Sequence, residues 1–445
     1  MKLSLILFLT LCTSYGFTQD NKLDTLSAKN AVFIALEKNY AVQISKAQSA
    51  INVKNNTWSE AGLYPTIALN VGVNTNIQDN SNNPFTFTPG VILSTSLSPN
   101  LSLNMNLFSG MAVRISKNRL DQLEQQSNGN ALLVIESTIL DVLKSYYSAV
   151  VQRDRLLVLE VLKKNALDRF KYYDRKQDIG TGSSLEELQF KNLYYSDSIN
   201  ALVQKTSYEN SLRNLYLLMN ATLTIESLPY LSDSLSINFP LINYQEALAE
   251  LPNSNQELKN QYIALELQRT NTAFQKSFLY PTLSLQGGFT PSKSWFRDLN
   301  DPSLQINTEV LLYNAGLNLR YNLFNNWKNK RAVETSKIQE SISQMTYDRI
   351  RKSIETTLSS LINSYKGSAQ IVDISSRNLN YAKKAWELAE TRFNLGTLNS
   401  VDLVNFKNSY QNQTLQHFEF IYTKISTYLE LYKLSGKLRL DYINP

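Results

Sequence analysis

The chain has 445 residues, with 44 basic and 38 acidic side chains, one histidine and one cysteine. The net charge of +6 is mild and the charged residues are scattered, which argues against a nucleic-acid-binding face. A chain of this length can form two or three compact domains, or one elongated domain.

The first 19 residues predict a secretory signal peptide. Lys2 precedes an apolar run from Leu3 to Leu11, and small and polar residues follow. This run is too short to span a bilayer. Cys12 offers a lipoprotein alternative, but the bulky Leu11 stands before it where a small residue is expected. No later stretch has ~18 consecutive apolar residues, so the sequence predicts no transmembrane helix.

The rest of the chain has the pattern of a tandem duplication. Pro65 in "LYPTIALNVGV" and Pro281 in "LYPTLSLQGGF" are 281 − 65 = 216 residues apart. Two further pairs share this offset: Asn106 with Asn322, and Gly180 with Gly396. The period is far longer than a solenoid unit, so each copy is a large half. We predict a first repeat over 20–240 and a second over 241–445.

Each half is predicted to contain a hairpin of two strands. Apolar and polar residues alternate over four segments: 66–74, 101–107, 282–289 and 317–323. This alternation is typical of membrane strands with lipid on one side and water on the other. A soluble sandwich with one wet face gives the same pattern and remains an alternative.

Aromatic residues mark one end of both predicted hairpins. Tyr64 and Phe108 lie at this end in the first half, and Tyr280 and Phe324 lie there in the second. Such residues suit a membrane interface. Four strands cannot close a barrel, and an open edge is not viable in lipid. Membrane strands would therefore require several chains.

The remaining segments are predicted to be helical. Two helices, over about 111–178 and 327–394, would each be roughly 100 Å long at ~1.5 Å per residue. Shorter helices are expected over about 28–62 and 185–217 and their copies. A coiled-coil seam is predicted from one set of apolar residues: Leu132, Ile135, Ile139, Val142 and Tyr146. A soluble coiled-coil scaffold is the alternative for these helices.

Over about residues 26–438 the sequence resembles the TolC family of outer-membrane efflux proteins. The resemblance rests on the helix start "LSAKNAVFIALEKN", the two "LYPT" strand entries, the strand exit "LNMNLFSG", and the turns "GTGSSLEEL" and "GTLNSVDLV". It implies a mixed α and transmembrane β fold with an internal two-fold tandem repeat. Four strands per chain would contribute to a trimeric 12-stranded barrel, continued by a long periplasmic α-helical coiled-coil barrel.

The resemblance implies a homotrimeric outer-membrane exit duct of a tripartite efflux or type I secretion system. Its helical part would lie in the periplasm. The implied partners are a periplasmic adaptor, an inner-membrane transporter and outer-membrane lipid, with no nucleic acid. The family exports small molecules, dyes, metals or proteins, and the sequence does not name the cargo. The alternative from another class is a soluble periplasmic coiled-coil scaffold or adaptor.

The glycine turns would then be the periplasmic tips of the helices. The expected adaptor-contacting residues are Gly180, Thr181, Gly182, Gly396 and Thr397. Ser184 and Ser400 are predicted N-caps of the returning helices.

The resemblance also implies a periplasmic gate, with four candidate residues: Asp402, Asn405, Glu186 and Leu398. Asp402 matches an acid that lines the constricted entrance, and Glu186 matches an acidic gate partner. Asn405 and Leu398 stand where a second acid and a basic residue often occur, which puts the usual salt-bridge lock in doubt. Three copies of Asp402 around one axis would attract cations. Equally, Asp402 and Glu186 are acids at helix starts, where the helix dipole stabilises them.

Catalytic chemistry has little support in the sequence. The histidine, His417, lies among apolar residues on a predicted helix, which indicates a structural role. The segment "GTGSS" is too short for a phosphate-binding loop and lacks its lysine. We therefore predict no enzyme activity, no cofactor and no metal site.

Overall fold

The computed structural model of the chain describes residues 25–86, 90–222, 229–235, 242–301 and 303–438. The predicted signal peptide and Cys12 lie outside these residues. The elements follow in this order: β1 Thr25–Leu26, α1 Ala28–Lys38, α2 Tyr40–Asn55, β2 Thr66–Asp79, β3 Val91–Ser109, α3 Ala112–Asp178, α4 Ser184–Met219, β4 Tyr230–Leu231, α5 Tyr244–Ser254, α6 Gln256–Ser277, β5 Thr282–Asp298, β6 Gln305–Arg320, α7 Lys328–Asn394 and α8 Ser400–Leu434. Across the described part of the chain, no helix has the length and apolar character that crossing a membrane requires.

Corresponding helices of the two halves begin 216 residues apart. The pairs of first residues are 28 and 244, 40 and 256, 112 and 328, and 184 and 400. This confirms the predicted two-fold repeat. The long helices α3 and α7 each have 67 residues, or roughly 100 Å, as expected. The predicted boundary between residues 240 and 241 lies outside the described residues and stays a prediction.

The first helix of each half is broken, and the prediction of one continuous helix over 28–62 was wrong. Asn39 separates α1 from α2 in an extended conformation, and its side chain accepts hydrogen bonds from the amides of Ala41 and Val42. Asn255 separates α5 from α6 and accepts from the amide of Leu258 at 2.8 Å. Asparagine is a strong N-cap, and it offers the backbone an alternative to continuing the helix.

The four long strands form one antiparallel sheet in the order β2-β3-β5-β6. Both predicted hairpins are present, and β3 of the first half pairs with β5 of the second. Two strands extend beyond the alternating segments 66–74 and 282–289, since β2 continues to Asp79 and β5 to Asp298. At the other end β6 stops at Arg320, so Tyr321 and Leu323 lie beyond the strand in which the alternation placed them.

The chain divides into two compact units. The sheet unit comprises residues 36–141, 239–373 and 426–445, and includes the four-stranded sheet. Its helices α5, α6, α7 and α8 share a buried cluster that includes Leu251, Leu358, Tyr365 and Leu431. Burying such side chains contributes about 1.5–3 kcal/mol each, so this cluster holds the helices together.

The hairpin unit comprises residues 1–35, 142–238 and 374–425, and it contains both glycine turns. The short strands β1 and β4 pair in parallel within it. The hydroxyl of Tyr146 donates to the carbonyl of Leu26 at 2.8 Å, and the Arg153 guanidinium donates to the carbonyl of Leu231. Burial raises the pKa of Tyr146 to about 12, so this tyrosine stays a neutral hydrogen-bond donor.

Candidate functional site

Both tips of the hairpin unit are closed by the same backbone turn. Gly180 and Gly396 each have φ 72°, a left-handed conformation that glycine adopts at little cost. After each glycine, the amide of Thr181 or Thr397 donates back to a helix carbonyl five residues earlier, at 2.9 Å in both turns. This is the Schellman arrangement, which satisfies carbonyls at a helix end. Gly182 packs so closely that a Cβ would lie 2.8 Å from the amide nitrogen of Gln177.

The N-caps lie one residue before the predicted ones. Ser183 precedes α4, but its side chain makes no capping hydrogen bond. Before α8, Asn399 accepts from the amide of Asp402 at 2.8 Å, and its side-chain amide donates to the Asp402 carboxylate at 2.8 Å. Ser184 and Ser400 are therefore first helical residues rather than caps. The Asp402 carboxylate takes part in a reciprocal cap of its own helix.

Leu398 joins an apolar cluster inside the chain. It packs against buried Phe190, Phe393 and Leu403, which come from α4, α7 and α8. The rings of Phe190 and Phe393 meet edge to face at 5.8 Å between centroids. Leu398 therefore makes an apolar contact that fixes the second turn on the helices beneath it.

Asn405 lies on the wall of a polar groove between α4 and α8. The groove has a volume of about 330 Å³, and Asn192, Asn408 and Gln411 line it as well. The side-chain oxygen of Gln411 and one carboxylate oxygen of Asp197 are buried there without a hydrogen-bond partner among the described residues. Asn405 therefore gives this wall of the groove a polar side chain without a charge.

Glu186 acts electrostatically on its own hairpin. Burial first, and then the Glu186 carboxylate, raise the pKa of Tyr173. A hydrogen bond with Tyr172 is the main cause that raises the pKa of Lys176, and Glu186 adds to the shift. Glu186 lies in the first turn of α4, where the helix dipole favours an acid. The structure thus places Glu186 beside residues at the end of α3.

The most buried ion pair among the described residues of the hairpin unit was missed by the sequence analysis. The ammonium group of Lys407 on α8 pairs with the carboxylate of Asp197 on α4. The side chains are only 8% and 3% exposed, so both charges are removed from water. The signal was present: "FKN" occurs at 190–192 and again at 406–408, with the same offset of 216. The repeated motif could have been recognised from the sequence. The sequence does not tell which of its two lysines, Lys191 or Lys407, is buried.

The sheet has one apolar and one polar face, as the alternation predicted. In the described register, Leu69, Leu101, Phe289 and Tyr313 lie side by side across the four strands. Leu69 is 67% exposed and Tyr313 is 70% exposed. On the opposite face, the side-chain amide of Asn100 donates to the hydroxyl of Thr290 at 2.6 Å.

The apolar band ends at a cross-strand ion pair. On β6 the band runs from Leu311 to Leu319, which is 319 − 311 + 1 = 9 residues, or roughly 30 Å along the strand. Two residues further along the same face, Glu309 pairs with Lys293 at 2.5 Å. A strand tilt of ~35–45° would give a band about 21–25 Å tall, close to the apolar band of membrane strands.

The four predicted interface aromatics lie at the opposite end of this band. Tyr64 precedes β2, Tyr280 precedes β5, Phe108 lies near the end of β3, and Phe324 follows β6. Antiparallel pairing brings these strand ends together, since Thr282 lies beside both Ser109 and Arg320. All four side chains are exposed, from 40% at Phe108 to 69% at Phe324. Their role at a membrane interface stays a prediction.

His417 makes a local contact within the hairpin unit. Its Nδ1 lies 2.8 Å from the hydroxyl of Ser375, and burial lowers the pKa of the imidazole. Among the described residues, no group of three or more His, Cys, Asp or Glu side chains is placed to hold a metal ion.

Comparison with solved structures shows which known folds share this architecture. Campylobacter jejuni CmeC, an outer membrane channel, aligns with a TM-score of 0.76 and 15% identity over 92% of this chain and 85% of its own. A membrane protein from Pseudomonas aeruginosa aligns with a TM-score of 0.75 and 13% identity over 92% of both chains. The open state of the Neisseria gonorrhoeae MtrE outer membrane channel aligns with a TM-score of 0.72 and 18% identity, over 92% and 89%.

Among curated proteins, none matches the sequence. The sequence model of the family described as "Outer membrane efflux protein" matches residues 33–221 and 244–437, one stretch in each half. This match does not favour the soluble scaffold or adaptor, and it confirms the resemblance that the sequence motifs indicated. The chain belongs to the outer membrane efflux protein family, and the protein is an efflux channel protein of the outer membrane.

Proposed function

We propose that three copies of this chain form the exit duct of a tripartite efflux or type I secretion system. The duct would carry substrates from the periplasm, or from an inner-membrane pump, to the exterior. The observation that carries the proposal is the sheet, which is apolar on one face, polar on the other, and has β2 and β6 as its edges. Unpaired backbone groups in lipid cost several kcal/mol each. Pairing β6 of one copy with β2 of the next removes both edges, and three copies close a barrel of 3 × 4 = 12 strands.

Apolar stripes on the helices support assembly from several chains. On α7 and in the turn that follows it, a row of exposed residues repeats at steps of seven: Ile374, Tyr381 and Leu388 on the helix, and Leu395 directly after its last residue. Their exposed fractions lie between 55% and 73%. A seven-residue apolar repeat is the pattern of a helix that packs against another helix in a coiled coil. Neighbouring copies in a trimer supply that partner.

The glycine turns are proposed to contact the helical hairpins of a periplasmic adaptor, which links the duct to an inner-membrane transporter. The tip residues in this contact are Gly180, Thr181, Gly182, Gly396 and Thr397. Exposed apolar residues support a protein partner here, because Ile179 and Leu395, directly before the two turn glycines, are each 73% exposed. Surfaces of this kind mark sites of protein contact when they form a patch.

The gate is proposed to lie at the second tip, with Asp402 of each copy facing the axis. Asn405 continues the polar wall, Glu186 holds the first turn, and Leu398 ties the second turn to the apolar cluster. Closure then depends on apolar packing more than on salt bridges. We expect low ionic strength to change the resting leak little.

A matched pair of arginine substitutions tests the duct. Leu69→Arg places a charge on the apolar face and should cost about 2–4 kcal/mol if the side chain meets lipid near mid-membrane. Asn70→Arg places the same charge on the polar face and should leave assembly largely intact. The measurement is the amount of protein in the outer-membrane fraction and in the detergent extract. Equal losses for both variants, or recovery of the wild type as a soluble monomer, would contradict the proposal.

A further inference from the structure

The turns that lead from the sheet into the long helices have a strained backbone in both halves. Asn326 and Trp327, before α7, have φ 54° and 58°, and their equivalents Gly110 and Met111 have φ 62° and 69°. A bulky residue such as tryptophan is strained in the left-handed region. Such strain persists where the surroundings hold it, and it clusters at functional positions. The turn before α7 therefore calls for a functional explanation.

The strained turn presents aromatic rings and a cation at its surface. Trp327 is 60% exposed and meets the 69% exposed ring of Phe324 edge to face, at 5.9 Å between centroids. The ammonium group of Lys330 lies 5.1 Å from the centre of the Trp327 ring. Exposed tryptophan beside a cation is the side-chain combination found at the headgroup level of membranes.

Cations at the start of α7 oppose the helix dipole. Lys328, Lys330 and Arg331 all lie within the first four residues of α7, and its first turn contains no acid. The N-terminus of a helix carries about half a positive charge, so cations there are unfavourable. At the tips the rule is obeyed, because α4 has Glu186 and α8 has Asp402 in its first turn. An anion bound beside α7 would offset this repulsion, and helix N-termini bind phosphate readily.

We propose that Phe324, Trp327, Lys328 and Lys330 form a collar that binds the phosphate headgroup of an anionic glycerophospholipid. The rings lie against the glycerol and upper acyl region, and the Lys330 ammonium beside the Trp327 ring pairs with the phosphate. Lys328 points to another side of the helix and adds positive charge at the same end of α7. A zwitterionic headgroup fits less well, because its own cation meets the lysines. Since the helical end of the sheet faces the periplasm, the lipid belongs to the periplasmic leaflet of the outer membrane. The inference rests on insertion of the sheet in that membrane.

The test compares two double variants of full-length protein extracted in detergent. Lys328→Gln with Lys330→Gln removes the collar cations, and Arg331 stays because it donates to the carbonyl of Asn326 at 2.8 Å. The control, Lys352→Gln with Lys384→Gln, removes two exposed cations elsewhere on α7. Native mass spectrometry measures retention of phosphatidylglycerol and phosphatidylcholine. Each lysine near an anionic surface contributes about fivefold, so the collar variant should lose roughly ten- to thirtyfold in phosphatidylglycerol affinity. The control should keep the wild-type preference.

Thermal unfolding separates lipid binding from a purely structural role. In detergent micelles supplemented with phosphatidylcholine, the collar variant should unfold at the wild-type temperature or above it, because the dipole repulsion is relieved. When phosphatidylglycerol is added instead, the unfolding temperature of the wild type should rise by more than that of the collar variant. Equal phosphatidylglycerol retention by the wild type and the collar variant, or equal destabilisation of that variant in both lipids, would overturn the proposal. Trimer formation and channel conductance should be unchanged in the collar variant, and their loss in that variant alone would give the lysines a structural role and overturn the proposal. Absence of trimers or of conductance in the wild type would instead contradict the duct.

Discussion

The returning helices α4 and α8 carry the same tripeptide, "FKN", and bury different residues of it. In α4 the ring of Phe190 is fully buried and Lys191 reaches the surface. In α8 the whole residue Phe406 is 41% exposed, whereas the whole residue Lys407 is only 6% exposed. Consecutive residues on a helix point ~100° apart. The two helices therefore turn different faces toward the interior of the hairpin unit.

This difference shows that a duplicated sequence does not impose a duplicated environment. Duplication preserved the positions at which the helices begin and both glycine turns, which depend on local backbone chemistry. Burial depends on the neighbours, and α8 has Asp197 of α4 beside its lysine whereas Lys191 has Glu187 of its own helix at 3.8 Å. The exposed Phe406 is then a surface that another chain can cover, while Phe190 is committed to the interior of its own chain.

The largest effect should come from breaking the buried ion pair. Lys407→Ala leaves the Asp197 carboxylate buried without its cation, which typically costs about 3–5 kcal/mol. Lys191→Ala is the matched control at the equivalent position, and loss of its surface pair should cost ~0–1 kcal/mol. Urea unfolding of the detergent-extracted protein measures both. Similar midpoints for the two variants would show that the burial difference has no energetic consequence.

For the phenylalanines of the motif, the sensitive position should be the one in α4 rather than the one in α8. Phe190→Ala empties a fully buried site and should lower the free energy of unfolding by about 3–4 kcal/mol. Phe406→Ala removes an exposed ring and should leave the fold of one chain nearly unchanged. Instead, the Phe406 variant should weaken association between copies, measured as the fraction of trimer in size-exclusion chromatography. If Phe406→Ala lowers the free energy of unfolding as much as Phe190→Ala does, α4 and α8 do not turn different faces toward the interior of the hairpin unit.

A smaller effect on stability, with a large effect on export, is expected at the second turn. Gly396→Val forces a β-branched residue to φ 72° and should cost about 1–3 kcal/mol. Gly367→Val is the control, because Gly367 is not left-handed and a Cβ there meets nothing within 4 Å. Efflux of a fluorescent dye, in cells that carry this protein as their outer-membrane duct, should fail only for Gly396→Val. Trimers should still be recovered from both variants. Normal efflux by the Gly396 variant would remove the tips from the mechanism.

The smallest structural effect is expected at Asp402. Asp402→Ala removes one arm of the reciprocal cap with Asn399, which should cost roughly 0.5–1 kcal/mol. If the three carboxylates face the axis, the variant should also show weaker block by multivalent cations in single-channel recordings. Asn405→Asp should strengthen the block by adding a second ring. Identical block in the wild type and Asp402→Ala would leave Asp402 with its capping role alone.

Features with a local chemical cause were the ones that the sequence could predict. The long uninterrupted helices, the alternating strands and the left-handed glycines each follow from a few neighbouring residues. The break at Asn39 could have been predicted from capping chemistry, but the helical pattern around it concealed the cap. The Lys407–Asp197 pair joins residues 210 apart, and no local pattern distinguishes Lys407 from Lys191. Long-range pairing of this kind depends on how α4 and α8 pack.

The central claim, that this protein works as a trimeric duct, is tested most directly by weighing the complex. Native mass spectrometry of the wild type, extracted from purified outer membranes, should give the mass of three chains, with lipid adducts as the only addition. In such a complex, neighbouring copies would cover the exposed apolar residues of α7, the ring of Phe406 and the unpaired sheet edges. A stable single chain in the outer-membrane extract would contradict the account. So would a complex of two chains, or of more than three, because only three four-stranded sheets make a barrel of twelve strands.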